Sequence, residues 1–344
     1  MIDATTAALA IALPAPLTVK EALRTENRLF LDTRSPAEFA EDHLPTAINL
    51  PILSNEERAV VGTLYRQVSQ AQALEKGKEY FQEKKPLFLK ELEPHKDKTV
   101  IVNCWRGGMR SRVIADLLTA QGYNAFQLEG GYKQYRKYVR ERLENYQLKP
   151  KVVVLWGLTG VGKTELLKQF PHSLDLEGLA QHRGSLFGAL GLEPRSQKRF
   201  ENLLLQRLEE LQGERFIVVE GESRKIGPVQ IPAFLYKAMK QGVPVLVKAD
   251  LDTRARKAVQ EYFTKENIGK IKEITAGLRN VISRQKKELV AELLDQKKYQ
   301  EAALLLLQYY YDPLYEHTLK KGNYVLEVEA RNVQQWKGQL ANMI

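Results

Sequence analysis

The chain has 344 residues, of which 44% are hydrophobic and 27% charged, proportions typical of a globular protein with room for two domains. Its net charge of +10 favours a polyanionic partner such as RNA or DNA, although solvated surface lysines would give the same excess. A single cysteine excludes an internal disulfide framework, and no signal peptide or membrane-length apolar segment is recognisable, so we expect a cytoplasmic protein with no membrane contact.

Strands and helices alternate along the first half of the chain. Ser35 and Pro36 indicate the start of a helix, because serine caps helix N-termini and proline suits the first helical position. This alternation is typical of a parallel α/β sheet. The predicted elements are strands at 29–32, within 43–51, at 99–103 and at 124–128, a helical insertion at about 54–95, and a basic helix at 132–146.

The second half begins after Lys149-Pro150 with a nearly continuous apolar strand at 151–156, as expected for a strand buried on both faces. Tyrosines cluster between residues 309 and 315, where they could stack on bases or pack at the end of a helical hairpin. Further strands are predicted at 216–220, 243–247 and 324–328, with a mostly helical region at 252–319. We therefore predict two α/β domains, residues 1–148 and residues 149–344.

Cys104 is the only cysteine, and a loop with two glycines follows it. The apolar segment 99–103 precedes it and helical periodicity resumes at 113–118, so the thiol should lie on a tight strand-to-helix turn. Backbone N–H groups and the cations Arg106 and Arg110 would then favour the thiolate and make this cysteine a nucleophile. A buried cysteine that merely fills apolar space is the alternative, but packing requires neither the glycines nor the arginines.

Residues 157–164 match the pattern G-x-x-x-x-G-K-[ST] in full. They directly follow an apolar strand and begin a helix, which is the context expected of a phosphate-binding loop. The glycines let the backbone wrap around an anion, Lys163 neutralises phosphate oxygens, and Thr164 can bind Mg²⁺. The predicted phosphate ligands in the loop are Gly157, Thr159, Gly160, Gly162, Lys163 and Thr164.

Polar residues after other predicted strands could complete this site, because ligands bind at the carboxyl ends of parallel strands. Glu220 ends one apolar strand and Asp175 follows another, so these two and Thr164 are candidate Mg²⁺ ligands. The segment after Glu220 could instead be a surface turn of mixed charge. No Cys/His cluster has zinc-site spacing, so no zinc is expected. The additional candidate phosphate ligands are Arg183, Arg224 and Lys225.

The first half resembles a rhodanese domain, in residues 31–39, in residues 43–49 and in the cysteine loop 104–110. A rhodanese half followed by a phosphate loop resembles the bacterial tRNA 2-selenouridine synthase family over nearly the whole length. The resemblance implies a rhodanese-like α/β domain followed by a P-loop NTPase-like α/β domain with a helical region. The segments that carry it are 57–65, 104–111, 157–164, 175–188, 222–227 and 310–313.

This family resemblance implies an enzyme that replaces sulfur by selenium in 2-thiouridine at the wobble position of tRNA. The reaction would pass through S-geranyl-2-thiouridine made from geranyl diphosphate, and the selenium would come from selenophosphate. The phosphate loop would hold the diphosphate, and Cys104 would carry selenium or bind selenophosphate with Arg106 and Arg110. The implied partners are tRNA and an enzyme that supplies selenophosphate.

The sequence leaves two other functions open. A rhodanese sulfurtransferase could be fused to a nucleotide-dependent kinase or ATPase that acts on an acceptor other than tRNA, in which case the phosphate loop would hold a nucleotide. A non-catalytic RNA-binding regulator could use a nucleotide as a switch, and it would not need the thiol of Cys104.

Overall fold

The computed structural model describes residues 14–278 and 282–330, together with Trp336, Gly338 and Gln339. The chain forms two compact units, Met1–Arg142 and Leu143–Ile344. The domain boundary predicted near residue 148 stays a prediction. Among the helices of the described residues, none is both long enough and apolar enough to cross a membrane.

A four-stranded parallel sheet forms the centre of the first unit, in the spatial order β2-β1-β3-β4. Its strands are β1 (Arg28–Asp32), β2 (Ile48–Asn49), β3 (Thr99–Asn103) and β4 (Asn124–Gln127). The two central strands are buried along nearly their whole length, as their apolar sequences predict. Asp32 pairs with Asn103 in register, so the residue after β3, Cys104, lies at the carboxyl edge of the sheet.

Six helices accompany this sheet within the described residues, and the last of them continues into the second unit. Ser54 begins α3 with a capping box: its hydroxyl accepts from the N–H of Glu57, whose carboxylate accepts from the N–H of Ser54. The next helix packs against α3, and both lie in the stretch predicted to be helical. The helices are α1 (Val19–Arg24), α2 (Pro36–Glu41), α3 (Asn55–Gln67), α4 (Gln70–Leu92), α5 (Met109–Ala120) and α6 (Gly131–Glu144), with a 3₁₀ turn at Glu93–His95.

The second unit contains a five-stranded parallel sheet in the order β11-β10-β5-β7-β6, and a separate hairpin formed by β8 and β9. The central strand β5 has four consecutive buried residues, which explains its unbroken apolar sequence. The predicted fold class, parallel α/β in both halves, is confirmed. The strands are β5 (Lys151–Trp156), β6 (Ser173–Leu174), β7 (Phe216–Glu220), β8 (Lys225–Ile226), β9 (Val229–Gln230), β10 (Val243–Lys248) and β11 (Leu326–Glu329).

Helices flank this sheet and then form a helical region with its own apolar core. Tyr311 is buried in that core, with its ring centroid 6.1 Å from that of Phe187, so packing accounts for this tyrosine, whereas Tyr315 is exposed. The helices are α7 (Lys163–Leu167), α8 (Leu176–Ala180), α9 (Gln197–Glu210), α10 (Ala233–Gln241), α11 (Leu251–Tyr262), α12 (Ile268–Gly277), α13 (Arg284–Asp295), α14 (Tyr299–Leu306) and α15 (Asp312–Lys320), with a π-helical turn at Leu307–Tyr311.

Candidate active sites in the two units

Cys104 lies on the predicted strand-to-helix turn, between β3 and α5. Its side chain is buried, and its Sγ atom is 3.2 Å from the hydroxyl oxygen of Ser111 on α5. Gln127 Nε2 donates to the same hydroxyl oxygen at 2.9 Å and to the carbonyls of Gly107 and Gly108. The thiol is therefore held in a polar pocket made by its own loop and by the end of β4.

The beginning of α6 fixes the shape of this cysteine loop. The N–H of Tyr132 donates to the carbonyl of Cys104, and the N–H of Lys133 donates to that of Trp105, each at 2.9 Å. Gly131 has a φ of +56°, and a Cβ atom there would collide with the backbone of Cys104 and Gly107. Glycine is required at this close approach, so the loop and the helix that supports it form one local structure.

The two arginines predicted to act with Cys104 differ in their surroundings. Arg110 has its Nη1 atom 3.6 Å from Glu38 Oε2, and Arg58 approaches the same carboxylate at 3.8 Å. Arg106 is exposed. Arg110 is thus paired with an acidic residue, and the roles predicted for Arg106 and Arg110 in binding an anionic donor stay predictions.

The phosphate loop follows β5 and leads into α7, as predicted. Gly157, Gly160 and Gly162 all have positive φ values, of 158°, 79° and 95°, which glycine alone adopts readily. Lys163 folds back so that its Nζ atom donates to the carbonyl of Gly157 at 3.0 Å. Lys163 thus bridges the two ends of the loop, and a glycine-rich turn with a lysine at this position suits a phosphate group.

Three carboxylates lie beside the phosphate loop: Glu220 at the end of β7, Glu177 at the start of α8, and Glu222. Thr164 Oγ1 lies 3.5 Å from Glu177 Oε2, and Glu220 Oε1 accepts from the N–H of Glu177 at 2.7 Å. Burial and the neighbouring charge of Glu222 raise the pKa of Glu177 to about 8. Burial, and then the charge of Asp175, also raise the pKa of Glu220.

Oxygen ligands at this position fit Mg²⁺. Glu220 is 2% exposed, and its Oε2 atom has no hydrogen-bond partner, so an uncompensated acceptor lies next to the loop. Mg²⁺ at phosphate sites commonly takes one or two protein oxygens, together with water and phosphate oxygens. Within the described ranges, no three His, Cys, Asp or Glu side chains form a metal site by themselves. The residues suited to a Mg²⁺–phosphate complex are therefore Thr164, Glu177, Glu220 and Glu222.

Glu177 and Glu222 were not predicted as ligands, although both lie in segments that the sequence pattern indicated. Their position in the sequence could have identified them. Each lies two residues beyond a candidate ligand, Asp175 or Glu220, at the carboxyl end of a strand. Asp175 itself caps α8, with its Oδ1 atom accepting from the N–H of Gly178 at 2.7 Å. Its carboxylate is occupied at the helix N-terminus, so its proposed metal role stays a prediction.

Three further cations, Arg183, Arg224 and Lys225, were predicted to bind phosphate. The contacts within the second unit do not bring them together. Arg183 pairs with Glu261 at 2.7 Å and lies over the ring of Tyr262, with its Cζ atom 4.9 Å from the centroid. Arg224 and Lys225 are exposed at the β8–β9 hairpin. Their predicted phosphate contacts stay predictions, and the contacts of Arg183 indicate a structural role.

A thiol loop on a rhodanese-like sheet and a phosphate loop on a second parallel sheet define a two-domain P-loop protein with a rhodanese-like first half. Comparison with known proteins agrees: a rhodanese-like domain model matches residues 15–138, and the model of the tRNA 2-selenouridine synthase AAA domain matches residues 150–293.

Several relatives resemble the chain over most of its length. It is 30% identical to the tRNA 2-selenouridine synthase of Shewanella frigidimarina, over 91% of this chain and 95% of that protein. The corresponding protein of Hydrogenovibrio crunogenus is 31% identical over 88% of this chain and 92% of its own length, and that of Cronobacter sakazakii is 32% identical over 87% and 89%. The chain belongs to the tRNA 2-selenouridine synthase family, which confirms the resemblance drawn from the sequence.

Proposed function

We propose that this protein is a transferase that converts wobble 2-thiouridine in tRNA to 2-selenouridine, through an S-geranyl intermediate. The observation that carries the proposal is the presence of a thiol loop and an intact phosphate loop in one chain whose full-length relatives are named for this product. A transfer reaction with a diphosphate leaving group explains why a phosphate loop accompanies a rhodanese-like domain.

The first step is geranyl transfer in the second unit. The sulfur of 2-thiouridine attacks C1 of geranyl diphosphate, the C–O bond breaks, diphosphate leaves, and the base loses its N3 proton. Lys163 and the loop N–H groups surround the anion and so stabilise the charge that develops on the leaving oxygen. Mg²⁺, held by Thr164 with Glu177 or Glu222, would neutralise further charge on the diphosphate.

The second step is selenium transfer, for which Cys104 is the candidate residue. The selenium of selenophosphate attacks C2 of the base, the C–S bond breaks, and geranylthiol leaves with a proton from solvent. Water then cleaves the P–Se bond and releases phosphate. Cys104 would bind or carry the selenium donor, with Arg106 and Arg110 holding its anionic oxygens.

One experiment tests both steps: mass spectrometry of the wobble nucleoside after thiolated tRNA is incubated with the protein, geranyl diphosphate and selenophosphate. The Lys163→Ala variant should lower geranylation by at least about 100-fold, because the leaving group loses its main cation. The Cys104→Ser variant should accumulate the geranylated nucleoside without forming the selenated one. Lys168→Ala is the matched control, since Lys168 is exposed just beyond α7 and should leave both steps unchanged.

Normal geranylation by Lys163→Ala, or loss of both steps in Cys104→Ser, would contradict this assignment. Thiosulfate turnover with stoichiometric ATP hydrolysis would instead favour a sulfurtransferase fused to a kinase or ATPase that acts on a non-tRNA acceptor. A Cys104→Ser protein indistinguishable from the wild type would favour the non-catalytic regulator.

A further inference from the structure

Arg254 on α11 contacts the backbone of the phosphate loop and is only 3% exposed. Its Nε atom donates to the carbonyl of Thr159 at 2.8 Å. A Cβ atom at the next loop residue, Gly160, would lie 2.8 Å from the carbonyl oxygen of Arg254, so the backbone of α11 lies against the loop at this point. The proposed reaction steps give no role to this buried cation.

The hydrogen bond to Thr159 also determines where a neighbouring donor points. The carbonyl of Thr159 and the N–H of Gly160 belong to one peptide unit, which is planar and trans, so the two groups point in opposite directions. Because the carbonyl is turned toward Arg254, the N–H of Gly160 points away from it. Within the described residues, this N–H has no backbone acceptor. It is therefore available to a ligand, and Gly160 is one of the predicted phosphate ligands.

Asp312 holds the guanidinium group of Arg254 in place. Both terminal nitrogens of Arg254 donate to the Asp312 carboxylate, and the Nη1 atom lies 3.0 Å from Oδ2. A bidentate pair fixes the plane of the guanidinium group, so the remaining Nε–H group keeps one direction. Asp312 begins α15, directly after the π-helical turn Leu307–Tyr311, and such turns are rare and occur frequently at functional sites.

A second ion pair joins α11 to the helix that follows the phosphate loop. Lys257, one turn after Arg254, donates through its Nζ atom to Glu165 Oε2 on α7 at 3.1 Å. The side chain of Glu165 is 60% exposed, whereas those of Arg254 and Asp312 are 4% and 15% exposed. Exposed ion pairs contribute little to stability, so the buried pair is the stronger constraint on the loop.

We propose that Arg254 and Asp312 are positioning residues, which hold the phosphate loop in its anion-binding conformation before a diphosphate arrives. This inference rests on the proposed function, because it requires that the loop binds a diphosphate. Arg254 acts through the peptide unit between Thr159 and Gly160, and not on the diphosphate itself. The role requires arginine: lysine could keep the ion pair with Asp312, but it lacks the fixed fork that also directs a donor at Thr159.

The test is calorimetric titration of the full-length protein with inorganic pyrophosphate and Mg²⁺. Arg254→Lys should bind pyrophosphate about tenfold more weakly than the wild type, because the site loses one oriented donor. Arg256→Lys is the matched control, since Arg256 is exposed on the same helix and should leave the affinity unchanged. Without ligand, hydrogen exchange over residues 157–164 should be faster in Arg254→Lys and unchanged in Arg256→Lys.

A double variant separates positioning from stability. Arg254→Met combined with Asp312→Leu replaces the ion pair by apolar side chains, an exchange that often preserves folding, and it leaves the carbonyl of Thr159 without its donor. This protein should unfold at nearly the wild-type urea concentration and bind pyrophosphate about tenfold more weakly. Val290→Ala should do the opposite, because Val290 is buried in the core of the helical region: it should lower stability and leave pyrophosphate affinity unchanged.

Wild-type affinity for pyrophosphate in both Arg254→Lys and the double variant would overturn the inference. An affinity loss in Val290→Ala as large as that in Arg254→Lys would overturn it as well, since binding would then follow stability alone. The proposed function fails separately. If the affinities change as expected but tRNA receives no geranyl group, the positioning role stands and the tRNA reaction is wrong. If tRNA is geranylated while all affinities stay equal, the reaction stands and the ion pair only stabilises the fold.

Discussion

Glu177 shows how one residue's surroundings change its chemistry. Its carboxyl group is hydrogen-bonded to that of Glu222 and lies near Glu220 and Asp175, while Lys163 supplies the main opposing charge. Several buried carboxylates around one lysine cannot all be ionised without a large penalty. A proton or a divalent cation must compensate them, which is why a phosphate loop with these neighbours suits a Mg²⁺–diphosphate complex.

The raised pKa of Glu177 predicts a pH-dependent stability for the protein without ligands. The pKa is about 8 in the folded state and 4.5 ordinarily, so the folded state binds more protons than the unfolded state between these values. The free energy of unfolding should therefore fall as the pH rises from about 5 to about 8. In Glu177→Gln this fall should be smaller, as measured by urea unfolding at both pH values.

Glu165→Gln provides the control for this comparison, because Glu165 is an exposed carboxylate on α7 close to the same loop. It should keep the wild-type pH dependence. An equally steep fall in Glu177→Gln would show that the other carboxylates, and not Glu177, take up the proton.

At the scale of elements, the cysteine loop depends on the start of α6. The loop residues Cys104 and Trp105 accept hydrogen bonds from the first turn of α6, and Gly131 permits the close contact. The chemistry of the thiol therefore depends on a helix that begins 27 residues later in the chain (131 minus 104). Local sequence signals in residues 99–118 do not reveal this support.

A pair of glycine variants measures this dependence. Gly122 and Gly131 both have positive φ values, of 80° and 56°, but a Cβ atom at Gly122 would meet open space. Gly122→Ala should lower the free energy of unfolding by about 1 kcal/mol, the penalty for a left-handed backbone. Gly131→Ala adds a backbone collision and should cost about 3 kcal/mol, as measured by chemical denaturation. Equal losses of unfolding free energy in the two variants would mean that the cysteine loop moves to accommodate the Cβ atom at no measurable cost.

At the scale of the whole molecule, the net charge of +10 bears on how tRNA is bound. Contacts between lysine or arginine side chains and phosphates release counterions, so affinity for tRNA should fall steeply with salt. We expect a loss of about 100-fold or more between about 50 and about 200 mM salt, measured by filter binding or fluorescence anisotropy.

tRNA without the 2-thio group is the control, because phosphate contacts do not depend on the modified base. It should show the same dependence on salt as the thiolated tRNA, even if its affinity differs. A flat response to salt would show that the positive charge is not the docking surface.

Much of the fold followed from the order of residues in the chain. The continuous apolar run 151–156 predicted a buried central strand, and the structure has β5 there. The cysteine turn and the phosphate loop were both found, because each lies within one strand–turn–helix segment whose spacing is fixed by local backbone geometry. The helices around Tyr311 were predicted, but whether this tyrosine stacks on bases or packs in a core was decided only by its neighbours.

The sequence by itself determined the two α/β folds, the thiol loop, the phosphate loop and the family, since these depend on short-range patterns and on spacing. Only the tertiary structure showed that Glu177 lies beside Thr164 and is hydrogen-bonded to Glu222, that Asp175 is occupied as a helix cap, and that Arg183 pairs with Glu261. The anchoring of the phosphate loop is likewise tertiary: Arg254 joins Thr159, 95 residues before it, to Asp312, 58 residues after it. Burial, charge coupling and cavities arise between segments far apart in the chain, so no local pattern of residues specifies them.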